Sequence, residues 1–258
     1  MSTFDLMGER KSVTGFGLII IGSEILDGRV RDRHFEIARR LLTDRNHLLH
    51  YSLVISDDPN LIREQLSWAM SRPEPFFCCG GIGATPDDYT RRCIAEAAGV
   101  PLEFHQEAAA ILKKRFGRLA TLHRLKMIEF PRGARLIPNS FNQVPGFSIA
   151  NGYFLPGFPE MVEPMIAWVL DSYYQPGPER IHRHLVLPGA READLVDLME
   201  DFIVVHPLLS FSSLPKFVSG SWEVHLGISG PPLKVEEGIR YLAGKLQKAG
   251  QRFTDDQG

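Results

Sequence analysis

The sequence predicts an α/β protein: a three-layer, doubly wound, mostly parallel sheet in the larger part, then a small α+β domain. Three observations carry the prediction. Residues 16–21 and 75–79 are continuous apolar runs that end at glycine, the pattern of strands covered on both faces. Apolar residues at helical spacing follow, so the order is strand–helix–strand–helix–strand–loop–helix, as parallel crossovers require. Beyond Gln175-Pro176-Gly177-Pro178, a linker by composition, the pattern changes.

The elements follow in order. Residues 1–14 read as a frayed tail and 16–21 as the first buried strand. A helix over 32–45 places Phe35, Ile37, Ala38, Leu41 and Leu42 on one side. A second strand spans 47–55, and Asp58-Pro59 then supplies an N-cap and a first-turn proline for the next helix. The strand over 75–79 runs into Gly80-Gly81-Ile82-Gly83, and a helix over 89–98 closes at Gly99. Another helix spans 106–116, and short strands are expected at 135–137, 147–149 and 153–155. The helix over 160–173 should bury Met161, Met165, Trp168 and Val169. In the second part, strands at 181–187, 211–214 and 222–228 and helices at 191–202 and 235–248 suggest an antiparallel sheet. The expected domains are 15–174 and 179–252.

Composition narrows the function. The 258 residues amount to about two domains at roughly 150 residues each. A balance of 29 Lys+Arg against 31 Asp+Glu argues against a general grip on nucleic acid or acidic membranes. Three cysteines without a C-x-x-C form neither a disulfide framework nor a zinc ribbon, which points to a reduced, cytoplasmic setting. The start has no apolar core of a signal peptide, and no run is long enough to span a bilayer.

The segment Gly80-Gly81-Ile82-Gly83-Ala84-Thr85-Pro86-Asp87-Asp88-Tyr89-Thr90 joins a buried strand to a helix. Its glycines allow close backbone approach, and the helix start behind them favours a phosphate or pyrophosphate. Asp87 and Asp88 would repel phosphate alone, which a bridging divalent cation such as Mg²⁺ resolves. One of the two could equally be a helix cap, but capping does not explain both together with three glycines. The sequence has no P-loop pattern, and Gly15-Phe16-Gly17 precedes its strand, unlike a dinucleotide fingerprint. A second segment, Gly22-Ser23-Glu24 through His34, lies at the same carboxyl edge; Glu24 and Asp32 would serve a metal or water, and Arg29 and Arg31 a phosphate.

Taken together, GSEILDGRVRDRH at 22–34, ISDDP at 55–59, GGIGATPDDYT at 80–90, VPGF at 144–147 and LPGFPEM at 155–161 resemble the MoaB/Mog-type molybdopterin-binding domain family, above all the N-terminal part of CinA (competence/damage-inducible) proteins. The final part is similar, by element order, to the KH-like module that follows this domain in CinA proteins. The resemblance implies binding of a small-molecule pterin or nucleotide phosphate, and metal-dependent hydrolysis of pyrophosphates such as ADP-ribose or FAD. It implies as alternatives a molybdenum-cofactor protein that binds or adenylylates molybdopterin, or a non-catalytic ligand-binding module. Carried over, Gly80, Gly81 and Gly83 cradle phosphate; Asp88 and Thr90 stand beside the metal, with Asp87 assisting; and Glu24 matches the acidic residue of the family's Gly-Asp-Glu run. The family has Asp where this chain has Ser23, and Asn where it has His34. By analogy a homo-oligomer is expected.

Thr85, Pro156 and Gly157 complete the expected ligand contacts, and Asn139, Asn142 and Gln143 are candidates to read a base or pterin edge. His182 and His184 share a strand face without a third ligand nearby in sequence and read as surface histidines. Gly227-Ile228-Ser229-Gly230 has the letters of a KH clamp but follows a strand. From 179 onward, 9 basic against 11 acidic residues disfavour RNA.

Overall fold

The computed structural model describes residues 9–117, 125–218 and 220–256. Residues 1–8 of the expected tail lie outside them. The chain divides into two compact units, residues 1–177 and 178–258.

The first unit is built on a six-stranded sheet. Strand β1 (Gly15–Ile21) lies between β2 (Leu48–Ile55) and β3 (Phe76–Cys79), parallel to both. A two-stranded ribbon of β4 (Leu102–Phe104) and β5 (Glu129–Pro131) stands apart. Strand β3 pairs in parallel with β8 (Gly152–Leu155), and β7 (Gly146–Ile149) and β6 (Arg135–Ile137) extend the sheet antiparallel. The order is β2-β1-β3-β8-β7-β6. The chain moves outward from β1 to β2, then returns to β1's other side for β3, so a crevice opens where β1 and β3 end.

Both faces of the sheet are covered, which is why its central strands read as unbroken apolar runs. Alternate residues feed two cores. Ile19, Ile21, Phe76, Cys78 and Phe154 pack against α3 (Pro59–Ser71), α4 (Thr90–Ala97) and α5 (Gln106–Phe116). Phe16, Leu18, Ile20, Phe77 and Leu155 pack against α2 (His34–Thr43) and α6 (Pro159–Tyr173). In α6 the buried stripe is Val162, Met165, Ile166, Val169 and Leu170, whereas Met161 and Trp168 are only half-buried. The expected N-cap holds: an Asp58 carboxylate oxygen accepts from the amides of Asn60 (2.8 Å) and Leu61 (3.0 Å).

Two local features differ from expectation. A single helical turn, α1 (Ser23–Leu26), follows β1. The helix expected from residue 32 begins at His34, because Asp32 caps it: its carboxylate accepts from the amides of His34 (2.9 Å) and Phe35 (3.0 Å).

The second unit is a four-stranded antiparallel sheet of β9 (Ile181–Pro188), β10 (Ser210–Val218), β11 (Ser221–Gly230) and β12 (Thr254–Asp256), in the order β10-β11-β9-β12. The hairpin strands are longer than the apolar runs suggested, because cross-strand pairing continues through their exposed ends. A 3₁₀ turn (Glu192–Leu195) breaks the expected helix before α7 (Val196–Val205), and α8 (Pro232–Lys248) completes the unit. Leu185, Leu187, Phe202, Leu226, Ile239 and Leu242 form its core. Among the described residues, no helix is long and apolar enough to cross a membrane.

Candidate functional site

The glycine-rich loop leaves β3 at the crevice and enters α4. Gly80 has φ +105°, and a Cβ there would stand 2.2 Å from the Ile21 carbonyl oxygen of the neighbouring strand. Gly81 has φ +67°, and its Cβ would meet the Thr90 hydroxyl at 2.3 Å. Both the left-handed backbone and the crowding exclude a side chain at these positions. Gly157 approaches from the end of β8: its Cβ would lie 3.5 Å from Gly80 Cα.

The first turn of α4 decides how the loop's peptides face. Thr90 Oγ1 donates to the Gly80 carbonyl (2.9 Å), Thr90 N to the Gly81 carbonyl (3.0 Å) and Arg91 Nη2 to the Gly83 carbonyl (2.6 Å). A trans peptide points its N–H opposite its C=O. With these carbonyls drawn back to α4, the N–H groups of Gly81, Ile82 and Ala84 turn the other way. Among the described residues these three amides have no acceptor. The result is a concave row of donors of the kind that binds anions.

Arg91 adds charge. It is 8% exposed, and its Nη1 donates to the carbonyls of Lys126 and Glu129. Burial presses its pKa down, and among the described residues it forms no ion pair. A buried guanidinium directly behind the loop, its charge partly offset by Asp88 and Glu129, adds positive potential to the anion-facing side.

Asp88 is turned inward. Its Oδ2 accepts from the amide (2.7 Å) and the hydroxyl (2.5 Å) of Thr85 and so closes the loop. Asp87 is exposed, and its carboxyl is held below the usual range by hydrogen bonding within the loop, its own amide included.

In front of the loop lies a cavity of about 330 Å³. Gly81–Thr85 and Asp88 form one wall, Asn139, Asn142, Val144 and Pro145 a second, and Pro156, Gly157, Phe158 and Met161 a third. Its walls are mostly apolar, with polar groups on the loop and at Asn139 and Asn142, the make-up of a small-molecule pocket.

The structure thus brings Gly81, Gly83, Thr85, Asp88, Pro156 and Gly157 to one cavity. Other expected site residues lie elsewhere. Thr90 is fully buried and spends its hydroxyl on Gly80, so it shapes the loop from behind. Ser23 is engaged with Asp57: Ser23 N donates to Asp57 Oδ2 (2.8 Å) and Asp57 N to Ser23 Oγ (3.1 Å). Glu24 folds back toward Gly22, and neither Ser23 nor Glu24 lines the cavity. Arg29 is paired with Asp27 on the surface. Asn139 is not free to read a ligand: its amide donates to Asn142 Oδ1 and the Val144 carbonyl, and its oxygen accepts from the amides of Phe141 and Asn142. It holds the second wall together instead. Arg91 escaped sequence reading because an arginine in a helix carries no mark of burial; its position just after the loop was the only available signal.

Among the described residues, no three His, Cys, Asp or Glu side chains converge as a metal site. Asp88 keeps Oδ1 unengaged, and Asp87 stands exposed beside it. Such a pair does not form a protein-only cage. It does fit Mg²⁺, which takes one or two carboxylates and completes its shell with phosphate oxygens and water.

The comparisons agree with the fold of the first unit. A family model described as "Probable molybdopterin binding domain" matches residues 17–175. A protein of Pyrobaculum arsenaticum is 28% identical over 253 residues, 93% of this chain and 94% of that protein. A CinA-like protein of Anaeromyxobacter sp. (strain K) is 34% identical over 149 residues, 55% of this chain but only 36% of that longer protein. The crystal structure of the protein CinA from Thermoplasma acidophilum, whose function is given as unknown, superposes with a TM-score of 0.57 at 27% identity, covering 62% of this chain and 99% of that one. With more than half of its length matched, this chain belongs to the molybdopterin-binding-domain family, in the form found in CinA-like proteins.

Proposed function

We propose that the first unit binds a pterin or nucleotide through its phosphate or pyrophosphate at residues 80–85 and hydrolyses a pyrophosphate bond there. The observation that carries this reading is the row of outward amides at Gly81, Ile82 and Ala84, backed by the buried Arg91. The amides hold phosphate oxygens, and Arg91 offsets their charge through the Gly83 peptide. The apolar walls from Val144, Pro156 and Met161 take the ring system and exclude water from it. Asp87 and Asp88 Oδ1 would hold a divalent cation, which when bound supplies charge neutralisation for the phosphates. Thr85 keeps Asp88 in place for that role.

The test is release of AMP from ADP-ribose or FAD with added divalent metal, run beside calorimetric binding of pyrophosphate. Pyrophosphate binding without turnover on any substrate or metal would reduce the reading to a binding module. Failure of both would reject it. Family membership favours molybdopterin as the second candidate ligand; copurified pterin fluorescence distinguishes it from a nucleotide.

A further inference from the structure

The third wall of the cavity carries an aromatic ring that the fold does not bury. Phe158 lines the cavity and is 62% exposed, whereas Ile82 and Pro145 are buried and Val144 and Met161 half-buried. The backbone that carries the ring is fixed twice over. Pro159 follows and confines residue 158 to extended backbone (φ −102°, ψ 116°). The Phe158 carbonyl accepts from the amides of Met161 (2.9 Å) and Val162 (3.0 Å) and so opens α6. Asn142 Nδ2 donates to Met161 Sδ (3.3 Å), which ties the second wall to the third.

Phe158 occupies the N-cap of α6, in the extended conformation a cap requires. Ser, Thr, Asp or Asn at this position would accept from an amide of the first turn and stabilise the helix. A phenyl ring has no acceptor to offer, and the Phe158 side chain makes no cap bond. The sequence thus forgoes a stabilising cap and leaves a large apolar ring in water at the same residue. Proteins break local rules in this way chiefly at functional sites.

We propose that Phe158 is the specificity-determining residue of this site: its ring stacks on the aromatic heterocycle of a ligand whose phosphate lies on the glycine-rich loop. The inference rests on the phosphate reading of that loop and adds the chemical class of the ligand. A planar heterocycle laid on the phenyl face removes both surfaces from water and gains an offset π contact. A sugar phosphate or an inorganic anion has no ring to place there. The site therefore selects heteroaromatic phosphates over phosphates without a ring.

The test is isothermal titration of the whole protein with AMP, ribose 5-phosphate and pyrophosphate. Wild type should bind AMP about tenfold or more tightly than ribose 5-phosphate, and Phe158→Ala should lower that ratio about tenfold. Phe158→Trp keeps an aromatic face and should keep the ratio. Phe158→Leu keeps apolar bulk without the face and should lose several-fold of it. Phe141 is as exposed, at 63%, but does not line the cavity, so Phe141→Ala should keep the wild-type ratio. Phe158→Ser supplies a capping hydroxyl and should melt no lower than wild type while its ratio falls, which separates lost recognition from lost folding. If wild type binds pyrophosphate but its ratio is near one, is unchanged in Phe158→Ala or falls equally in Phe141→Ala, the ring contact is overturned and the phosphate reading stands. If wild type binds no pyrophosphate, the phosphate reading falls and this inference with it.

Discussion

Replacing Thr90 by Val isolates the orientation of the loop. Val has nearly the volume and branching of Thr, so the fully buried site is not opened into a cavity. What is lost is the single bond from Oγ1 to the Gly80 carbonyl (2.9 Å), along with the force holding that peptide's N–H toward the cavity. An unmet buried carbonyl costs about 1–3 kcal/mol. At roughly 2–4 °C per kcal/mol for a unit of this size, the melting temperature should fall by about 2–12 °C. Pyrophosphate affinity should fall about tenfold, near 1.4 kcal/mol, because Gly81 N–H is no longer fixed. Thr90→Ser keeps the hydroxyl and should retain most of the affinity. The assays are thermal denaturation followed by circular dichroism and isothermal titration of pyrophosphate. A Thr90→Val protein that melts and binds as the wild type does would refute the claim that α4 sets the loop's peptides.

Arg91→Met should weaken pyrophosphate binding by roughly 1–2 kcal/mol, the order of one charge–charge interaction at an effective dielectric of about 20. Adenosine binding should barely change, and a titration comparing AMP with adenosine separates charge from packing. Gly81→Ala should abolish anion binding, since its Cβ meets the Thr90 hydroxyl at 2.3 Å in a left-handed backbone; pyrophosphate titration of the folded variant checks it. Asp88→Asn should lower Mn²⁺ affinity measured by electron paramagnetic resonance while leaving the melting temperature within about 2 °C, because an amide oxygen can still accept from Thr85. For Asp32, burial works to raise the carboxyl pKa, but the amides of Phe35 and His34 and the His34 ring outweigh it, and the net shift is downward. A folded pKa below the unfolded one stabilises above the ordinary carboxylate range and is lost as pH falls through the folded value. The melting difference between wild type and Asp32→Ala should therefore be full at neutral pH and shrink as pH falls through and below the ordinary carboxylate range.

Much of the molecule was readable along the chain. The runs at 16–21 and 75–79 announced strands buried on both faces, because burial on two sides removes the polar alternation that marks a half-exposed strand. Asp58-Pro59 announced a helix start through capping chemistry that acts within three residues. The three glycines near 80 announced close backbone approach, and the order of motifs located the cavity's loop and its Pro156-Gly157 wall. All of these are local signals.

What the chain could not disclose is which groups meet across the fold. The antiparallel edge of β6 and β7 and the withdrawal of Asn139 into its own loop have no neighbour-to-neighbour signature. The decisive case is Arg91. Its guanidinium reaches a carbonyl eight positions back and two more about 35 positions ahead. Only that convergence turns it from one more helix arginine into the buried charge behind the glycine-rich loop. Spacing and composition set the menu of local conformations, whereas hydrogen-bond partners and dielectric depend on distances that exist only once the layers have packed.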